Sequence, residues 1–237
     1  MKSPSSLTAW GPTLNHPTRA SSLTRFWRQT AILASVVFAV VRPASATSIY
    51  FQGWDHAGNA QGWTANVLGS SVSVPGAGGD PDGYLAMSGN TVFPVIGAVA
   101  NFAPPEGNYA ALGVDSVSFA LDLFSGTFTQ ETFRVRYLNA TFNGWQFPFP
   151  YNAAAGGWQG FVIFFNPMWT DAQATANGWF ADGPIGPNQQ SFAVTMTSVF
   201  NPEIRLTGVG NSLSAGLDDF NVDATGTTAV PEPATVT

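Results

Sequence analysis

The sequence predicts an all-β chain that folds as a single β-sandwich of the jelly-roll type. In the stretch Val114–Phe124, apolar and polar side chains alternate, as they do in a strand with one buried face and one wet face. The buried set is Val117, Phe119, Leu121 and Leu123. The chain also has 25 Gly and 17 Pro among 237 residues, which suits many turns between short strands. No sustained helical period or internal repeat is present.

The predicted strands follow one another at short spacing, with breaker-rich loops between them. In chain order they are Ile49–Trp54, Thr64–Val74, Tyr84–Met87, Thr91–Phe102, Val114–Phe124, Glu131–Leu138, Trp158–Phe165, Ser191–Phe200, Glu203–Thr207 and Ala215–Val222. Trp158–Phe165 is apolar enough to predict a central strand buried on both faces. A helix of two turns is expected at Asp171–Asn177, capped by Thr170 or Asp171. The segment Thr141–Gly157 is aromatic and irregular.

The two ends of the chain predict processing and disorder. Residues 1–46 have the pattern of a secretory signal peptide, because basic residues precede the apolar run Thr30–Val41 and Ala44–Ala46 supplies a small-x-small cleavage site. This run of twelve residues is too short to span a bilayer by itself; the alternative is a buried helix. Residues 224–237 are small, polar and interrupted by Pro, which is typical of a disordered tail. The β-sandwich domain is therefore expected over residues 47–223.

Charge is scarce and unevenly distributed along the chain. Only 9% of the residues are charged, and residues 47–237 carry Arg134, Arg136 and Arg205 against all fourteen carboxylates, a net charge of −11. Such a body repels phosphate backbones and anionic lipid surfaces, so no nucleic acid is expected as a partner. The chain has no Cys, which excludes disulfides, thiolate metal sites and cysteine nucleophiles.

Residue types that serve in catalysis are few. After position 46 the sole histidine is His56, and no G-x-S-x-G motif is present, so nothing announces a hydrolase triad. Asp115, Asp122 and Glu131 supply carboxylates for a glycoside hydrolase, but their positions are typical of turns or of the wet face of a strand. We therefore expect a protein that is not an enzyme, and a secreted glycoside hydrolase is kept as the alternative.

Aromatic residues are concentrated between positions 145 and 179. Tryptophan and tyrosine rings offer broad contact area to the C–H faces of sugars, and neighbouring Asn, Gln and Asp accept sugar hydroxyls. The candidate ligand-binding residues are Trp145, Tyr151, Trp158, Trp169 and Trp179. The alternative is that these rings fill the core, because a sandwich without disulfides needs large buried side chains.

Two groups of acidic residues lie at turns, where oxygen ligands suit Ca²⁺. One group is Asp80–Gly83, with two carboxylates, and the other is Asp218, Asp219 and Asp223 near the last strand. Neither group has the spacing of an EF-hand loop. The two interpretations are a structural calcium ion and a set of solvated turn carboxylates.

The end of the chain resembles the start of the PEP-CTERM sorting signal found in exported proteins of Gram-negative bacteria. The residues that carry the resemblance are Val230, Pro231, Glu232, Pro233, Ala234 and Thr235. The resemblance implies a secreted or cell-surface protein and recognition by a membrane exosortase. The sequence departs from the family pattern, because the hydrophobic helix and the basic cluster do not follow before Thr237. Membrane engagement is therefore not carried over, and no stable membrane span is expected in this chain.

Residues 48–223 resemble laminin-B-like and carbohydrate-binding-like jelly rolls. The segments that carry the resemblance are Gly58–Trp63, Gly79–Leu85, Phe102–Pro104, Val117–Leu121, Glu203–Leu206 and Gly216–Val222. It implies a non-catalytic surface or matrix module that binds polysaccharide; the alternative is a structural or adhesive surface protein without a small ligand. It also implies a calcium ion held by Asp218 or Asp219 and by a group near the first strand, such as Asp55.

Overall fold

The computed structural model describes residues 46–90, 94–137, 143–182 and 189–225. The predicted signal peptide up to residue 45 and the PEP-CTERM-like hexapeptide lie outside these residues. Ten strands and three short helices form the described part of the chain. They are β1 (Ala46–Gln52), β2 (Trp63–Ala65), β3 (Ser70–Ser73), β4 (Leu85–Asn90), β5 (Val95–Ala100), α1 (Tyr109–Leu112), β6 (Val114–Tyr137), β7 (Gly144–Pro148), β8 (Gln159–Phe164), α2 (Asp171–Ala176), β9 (Phe180–Ala181), α3 (Phe192–Met196) and β10 (Val199–Thr225).

Two long antiparallel strands, β6 and β10, organise the β-sandwich and contribute to both of its sheets. One half of this pair belongs to sheet I, where the strand order begins β8, β6, β10. On the other side of β10, β1 and β4 pair with successive parts of that strand, and β3 pairs with β4. The other half belongs to sheet II, in the order β9, β7, β6, β10, β5 and β2. The strands predicted separately on each side of residue 125 and of residue 210 are therefore continuous strands.

The β6–β10 pair passes from one sheet to the other through an exposed middle section. The pairing register shifts between Thr207 and Gly208 and again between Val209 and Ser214, and such irregularities increase the local bend and twist of a strand pair. Gly126 lies in this section with a positive φ of 99°, and a Cβ there would lie 2.5 Å from Leu213 Cδ2. A glycine is therefore required where β6 bends past β10.

The core between the two sheets is built largely from aromatic rings. Phe220 of β10 contacts Trp63 with ring centroids 4.8 Å apart and Phe133 of sheet II with centroids 6.5 Å apart, so these rings connect both layers. Val117, Phe119 and Leu121 are buried in this core. The alternation predicted for Val114–Phe124 is therefore confirmed.

Several predicted elements differ from the structure. The single strand predicted over Thr64–Val74 is two short strands, β2 and β3, and β7 lies within the segment predicted to be irregular. The predicted strand Ser191–Phe200 is mostly helix α3, which Ser191 caps by accepting a hydrogen bond from the Val194 N–H. Phe192 and Met196 lie one helical turn apart and are both buried. The strand predicted over Trp158–Phe165 is β8, which pairs with β6 alone among the described residues.

The exposed side chains of β8 show why the prediction of a strand buried on both faces is wrong. Val162 and Phe164 are 56% and 67% exposed, although both are large and apolar. The helix predicted at Asp171–Asn177 is confirmed as α2, with Thr170 and Gln173 forming a capping box. None of the helices in the described segments has the length and apolar character needed to cross a bilayer.

Candidate functional site

Three aromatic rings form a cluster on the outer face of sheet I, separate from the core. The ring centroids of Tyr84 and Phe124 lie 5.4 Å apart, those of Tyr84 and Trp158 5.5 Å, and those of Phe124 and Trp158 6.2 Å, all edge to face. Phe124 is 44% exposed, and the other two rings are half-buried. None of the three belongs to the hydrophobic core cluster. We call Tyr84, Phe124 and Trp158 the aromatic platform.

The alternation of side chains along the strands of sheet I places these rings on its outer face. Leu121 of β6 and Leu217 of β10 pair across the sheet and point into the core, so Asp122 and Gly216 point outward. A Cβ at Gly216 would lie 2.6 Å from Trp158 Cη2 and 2.8 Å from atoms of the other two rings. The rings therefore rest directly on the backbone at Gly216, and no larger residue fits below them.

Polar groups hold and border the platform. The Trp158 indole N–H donates to the Gly78 carbonyl oxygen at 3.2 Å, which fixes the edge of this ring. The Tyr151 hydroxyl lies 2.9 Å from the Gly157 carbonyl oxygen and 3.2 Å from Asp122 Oδ1. Burial and the nearby Asp122 raise the pKa of Tyr151, while a hydrogen bond from the Leu123 N–H opposes them. Asp122, which pairs with Gly216 across the sheet, places a carboxylate acceptor on the same outer face as the rings.

A shallow trough continues from the platform along β6 and β8. Gly160 and Ala120 pair with each other two residues beyond Trp158 and Asp122, which is about 7 Å along a strand. The trough has a volume of about 410 Å³. It is lined by Asp80, Ser118, Phe119, Ala120, Gly160, Phe161, Val162 and Asp219. Small residues form its floor, so the backbone of sheet I is accessible to a bound chain.

A group of carboxylates stands at the border of the trough. Asp218 accepts hydrogen bonds from the Asp80 N–H at 2.8 Å and from the Asp219 N–H at 2.9 Å. Burial raises the pKa of Asp218 to about 6, and the charges of Asp219 and Asp55 act in the same direction. Burial and the charges of Asp80 and Asp55 raise the pKa of Asp219. Among the described residues, no group of three or more His, Cys, Asp or Glu side chains is arranged to hold a metal ion.

The structure separates the five aromatic residues that the sequence proposes for ligand binding. Trp145 and Trp179 are only 4% and 1% exposed, and both belong to the core cluster. The Trp179 ring packs against Phe133, Phe165 and Phe192. Neither indole face is available to a sugar, so the ligand-platform prediction is wrong for these two residues.

The other three predicted rings are partly exposed, and two of them lie at one site. Trp158 belongs to the platform, and Tyr151 is connected to it through Asp122. Trp169 is half-buried and packs against Phe192 instead, with centroids 6.1 Å apart. The sequence reasoning missed Tyr84, Phe124 and Gly216. Phe124 carried a usable signal, because it shares the wet-face parity of Asp122 in the central strand.

The residue types needed for a hydrolase triad are not gathered at this site. His56, the one histidine in the described part of the chain, lies in an exposed turn. It borders a different concavity, lined by Phe51–His56 and Gln61. The arrangement of rings, small residues and carboxylates can bind a hydroxylated chain.

Comparison with solved structures identifies the fold. The solution structure of CtCBM11 aligns with a TM-score of 0.50 and 16% identity over 76% of this chain and 98% of its own. The chain has the jelly-roll fold of that module. The family 11 carbohydrate-binding module of the cellulosomal cellulase Lic26A-Cel5E of Clostridium thermocellum aligns with a TM-score of 0.49 and 13% identity over 74% of this chain and 95% of its own.

A xylan-binding domain is also among the solved structures to which this chain is similar. The CBM22-1 domain of Paenibacillus barcinonensis Xyn10C aligns with a TM-score of 0.45 and 14% identity, covering 75% of this chain and 94% of that domain. No protein-family model and no curated protein matches the chain.

Proposed function

We propose that this chain is a non-catalytic polysaccharide-binding β-sandwich and that the aromatic platform and its trough form the binding face. The observation that carries the proposal is the set of three partly exposed rings, Tyr84, Phe124 and Trp158, placed over Gly216 and outside the core. Rings on a protein surface favour ligands that cover them, because burying apolar area is stabilising by about 25 cal/mol per Å². The jelly-roll fold shared with CtCBM11 agrees with this proposal.

The chemistry of the face fits a neutral sugar chain. Sugar rings present C–H groups to aromatic faces and hydroxyl groups to acceptors at the rim. Asp122 and Asp219 provide such acceptors, and the small side chains of Ala120 and Gly160 leave room for a chain along the strands. Because every charged group at the platform and trough is a carboxylate, an anionic polysaccharide would be repelled here.

Affinity electrophoresis with a panel of neutral polysaccharides tests the proposal. We expect the purified protein to be retarded by at least one glycan, and Trp158→Ala to abolish the retardation because it removes the largest ring of the platform. Trp169→Ala is the matched control, since Trp169 is also half-buried but packs against Phe192. Retardation that is unchanged in Trp158→Ala, or lost only in Trp169→Ala, would contradict the assignment of the site.

Export is part of the proposed function. The basic and apolar leader over residues 1–46 and the hexapeptide beginning at Val230 support delivery to the cell surface or the extracellular matrix. Polysaccharide is abundant in both places. An exosortase is the proposed partner for the tail. Fractionation of the native host tests this step, because export predicts a protein that is outside the cytoplasm and lacks residues 1–46.

Calcium at Asp55, Asp218 and Asp219 stays a prediction. Burial is the main cause of the raised pKa of Asp218 and of Asp219, and repulsion from neighbouring carboxylates adds to it. A divalent cation would offset this repulsion, which supports the prediction. Both oxygens of Asp218 already accept backbone hydrogen bonds, so the present arrangement is not a complete ligand set. If Ca²⁺ is bound, we expect EDTA to lower the Tm and added Ca²⁺ to restore it. In Asp219→Asn, we expect EDTA to leave the Tm unchanged. A Tm that EDTA leaves unchanged ends this prediction.

A further inference from the structure

A further cavity lies where β6 bends from sheet I to sheet II. Its volume is about 370 Å³, at the lower end of the range for small-molecule sites. The Leu123 side chain shares the inward parity of the core residue Leu121, and that of Glu131 shares the inward parity of Phe133. Both halves of β6 therefore contribute to its wall, and we call it the bend cavity. The residues that line it are Leu123, Gly126, Thr127, Phe128, Glu131, Tyr151, Ala153 and Gly156.

The bend cavity is open to solvent along the free edge of β6. On the side of β6 away from β10, β8 pairs as far as Leu121 and β7 pairs from Thr132 onward. Between these two points no strand among the described residues pairs with β6 on that side. Gly126, Ala153 and Gly156 are exposed, and their small size leaves the entrance unobstructed. A ligand can therefore enter the cavity from this edge.

Glu131 is the charged residue of the bend cavity. Its side chain is half-buried, and in the described segments it forms no ion pair and accepts no hydrogen bond from another residue. Burial raises the pKa of Glu131, and its own backbone N–H opposes this effect. Removing a carboxylate from water is costly unless a partner replaces the water. The cavity thus offers an accessible negative charge that lacks a partner in the described part of the chain.

The arginines of residues 47–237 do not compensate this charge, because they lie on the other face of sheet II. Arg134 and Arg136 alternate along β6 with core residues, whereas Glu131 shares the inward parity of that core. Arg205 also faces outward, because its neighbour Leu206 pairs with Glu131 and lies in the core. A ligand is therefore the available source of a compensating cation.

The aromatic rings of the bend cavity favour a cation as well. Phe128 and Tyr151 line the cavity together with Glu131, and both rings pack against the core. Aromatic faces attract ammonium groups through the ring quadrupole. The net charge of −11 over residues 47–237 also draws cationic ligands toward the protein. An ammonium group thus fits this cavity better than a neutral or an acidic group does.

Tyr151 connects the bend cavity to the aromatic platform. It lines the cavity, and its hydroxyl lies 3.2 Å from Asp122 Oδ1 at the border of the platform. In β6, Leu123 of the cavity and Phe124 of the platform are consecutive residues on opposite faces of the strand. A polysaccharide that leaves the platform over the free edge of β6 therefore meets the cavity next.

We propose that the bend cavity binds an amino sugar unit of the polysaccharide, with its ammonium group paired to the Glu131 carboxylate. This inference rests on the proposed polysaccharide binding. Hydrogen bonds between charged groups are about twice as strong as those between neutral groups, so the amine is the group that the cavity selects. An acidic sugar would be repelled by Glu131, and a neutral sugar would leave its charge uncompensated. The expected ligand is a neutral chain that carries amino sugar units with free amines.

An NMR titration of the intact protein with two matched sugars tests the proposal. Glucosamine and glucose differ at C2 alone, where glucosamine carries an ammonium group and glucose a hydroxyl group. We expect glucosamine to bind about tenfold or more tightly, with the largest shift changes at the backbone N–H groups of Gly126, Thr127 and Phe128. Glu131→Gln is expected to abolish this preference, and Glu131→Asp to keep part of it.

Two control variants separate this inference from general charge attraction and from the platform. Asp82→Asn removes the same charge from an exposed loop and is expected to keep the preference for glucosamine. Trp158→Ala is expected to lose binding to neutral glycans while it also keeps that preference. Failure of glycan binding at the platform and failure of amine binding in the cavity are therefore seen separately.

The proposal is overturned if the wild-type protein binds both sugars equally, or if Glu131→Gln keeps the preference for glucosamine. Glu131→Gln is expected to have a Tm at least as high as that of the wild type, because burial disfavours the ionised carboxylate. Should this variant not fold, the wild-type shift map decides. Changes centred on the carboxylates Asp218 and Asp219 in place of the bend cavity would then overturn the proposal.

Discussion

Gly216 is the residue on which the aromatic platform depends most closely. All three rings lie within contact distance of the position that its Cβ would occupy. Gly216→Ala is therefore expected to displace the rings and to weaken glycan binding at least tenfold. It should also lower the free energy of unfolding by roughly 1–3 kcal/mol, as overpacking commonly does. Urea denaturation and affinity electrophoresis of the same preparation measure both effects.

Gly160→Ala is the control for this substitution. Gly160 lies on the same outer face of sheet I, and a Cβ there would meet no atom within 4 Å. We expect its free energy of unfolding to stay within about 0.5 kcal/mol of the wild-type value, as for surface substitutions in general. If Gly216→Ala were as stable as Gly160→Ala and bound glycan as the wild-type protein does, the position of the three rings would not depend on their contact with the backbone at Gly216.

Four further residues show what can and cannot be predicted about a site from sequence. Trp158 and Tyr151 were predictable as ligand-binding candidates from residue type and neighbourhood. Trp145 and Trp179 have the same residue type and the same neighbourhood, yet both are core residues. The difference depends on which face of a strand or loop each ring occupies, and the sequence between residues 141 and 180 has no sustained period that predicts this face.

At the scale of the element, β6 and β10 carry the ionic contacts of sheet II. Arg134 connects β6 to Glu203 of β10 and to Asp182 beyond β9, and it is almost fully buried. Arg134→Met would leave two buried carboxylates with only the longer contacts to Arg136. We expect a loss of about 3–5 kcal/mol in the free energy of unfolding, since removing one partner of a buried pair strands the other.

Urea denaturation of Arg134→Met, with Arg205→Gln as the matched arginine control, measures this loss. The two residues are on the same face of the same sheet, but only Arg134 is ion-paired. A stability of Arg134→Met equal to that of Arg205→Gln would show that the buried ion pairs do not hold sheet II together.

Elements with a clear period were predictable, and elements decided by tertiary contacts were not. Within Val114–Phe124, Val117, Phe119 and Leu121 lie in the core as predicted, and Leu123 is half-buried against it. The run around Phe192 and Met196 is rich in β-branched and aromatic residues, which favours a strand locally, but in the structure it is helix α3, capped by Ser191 and with both side chains buried. The apolar run of β8 predicts a central strand, but its position at the sheet edge depends on the order of the strands, which no local pattern encodes.

At the scale of the whole molecule, the sandwich presents two chemically different outer faces. Sheet I carries rings, small residues and carboxylates, and sheet II carries all three arginines of residues 47–237. The net charge of −11 was evident from composition, whereas the gathering of the arginines was not, because Arg205 is about 70 positions from the other two. Their meeting follows from the pairing of β6 with β10.

Glycan binding by the outer face of sheet I can be tested directly by mapping the backbone and indole N–H chemical shifts as the neutral glycan that retards the protein most is added. We expect the largest changes at the Trp158 indole N–H and at the backbone N–H groups of Asp122, Gly160 and Gly216. Changes confined to sheet II, or no saturable change with any glycan that retards the protein, would contradict it.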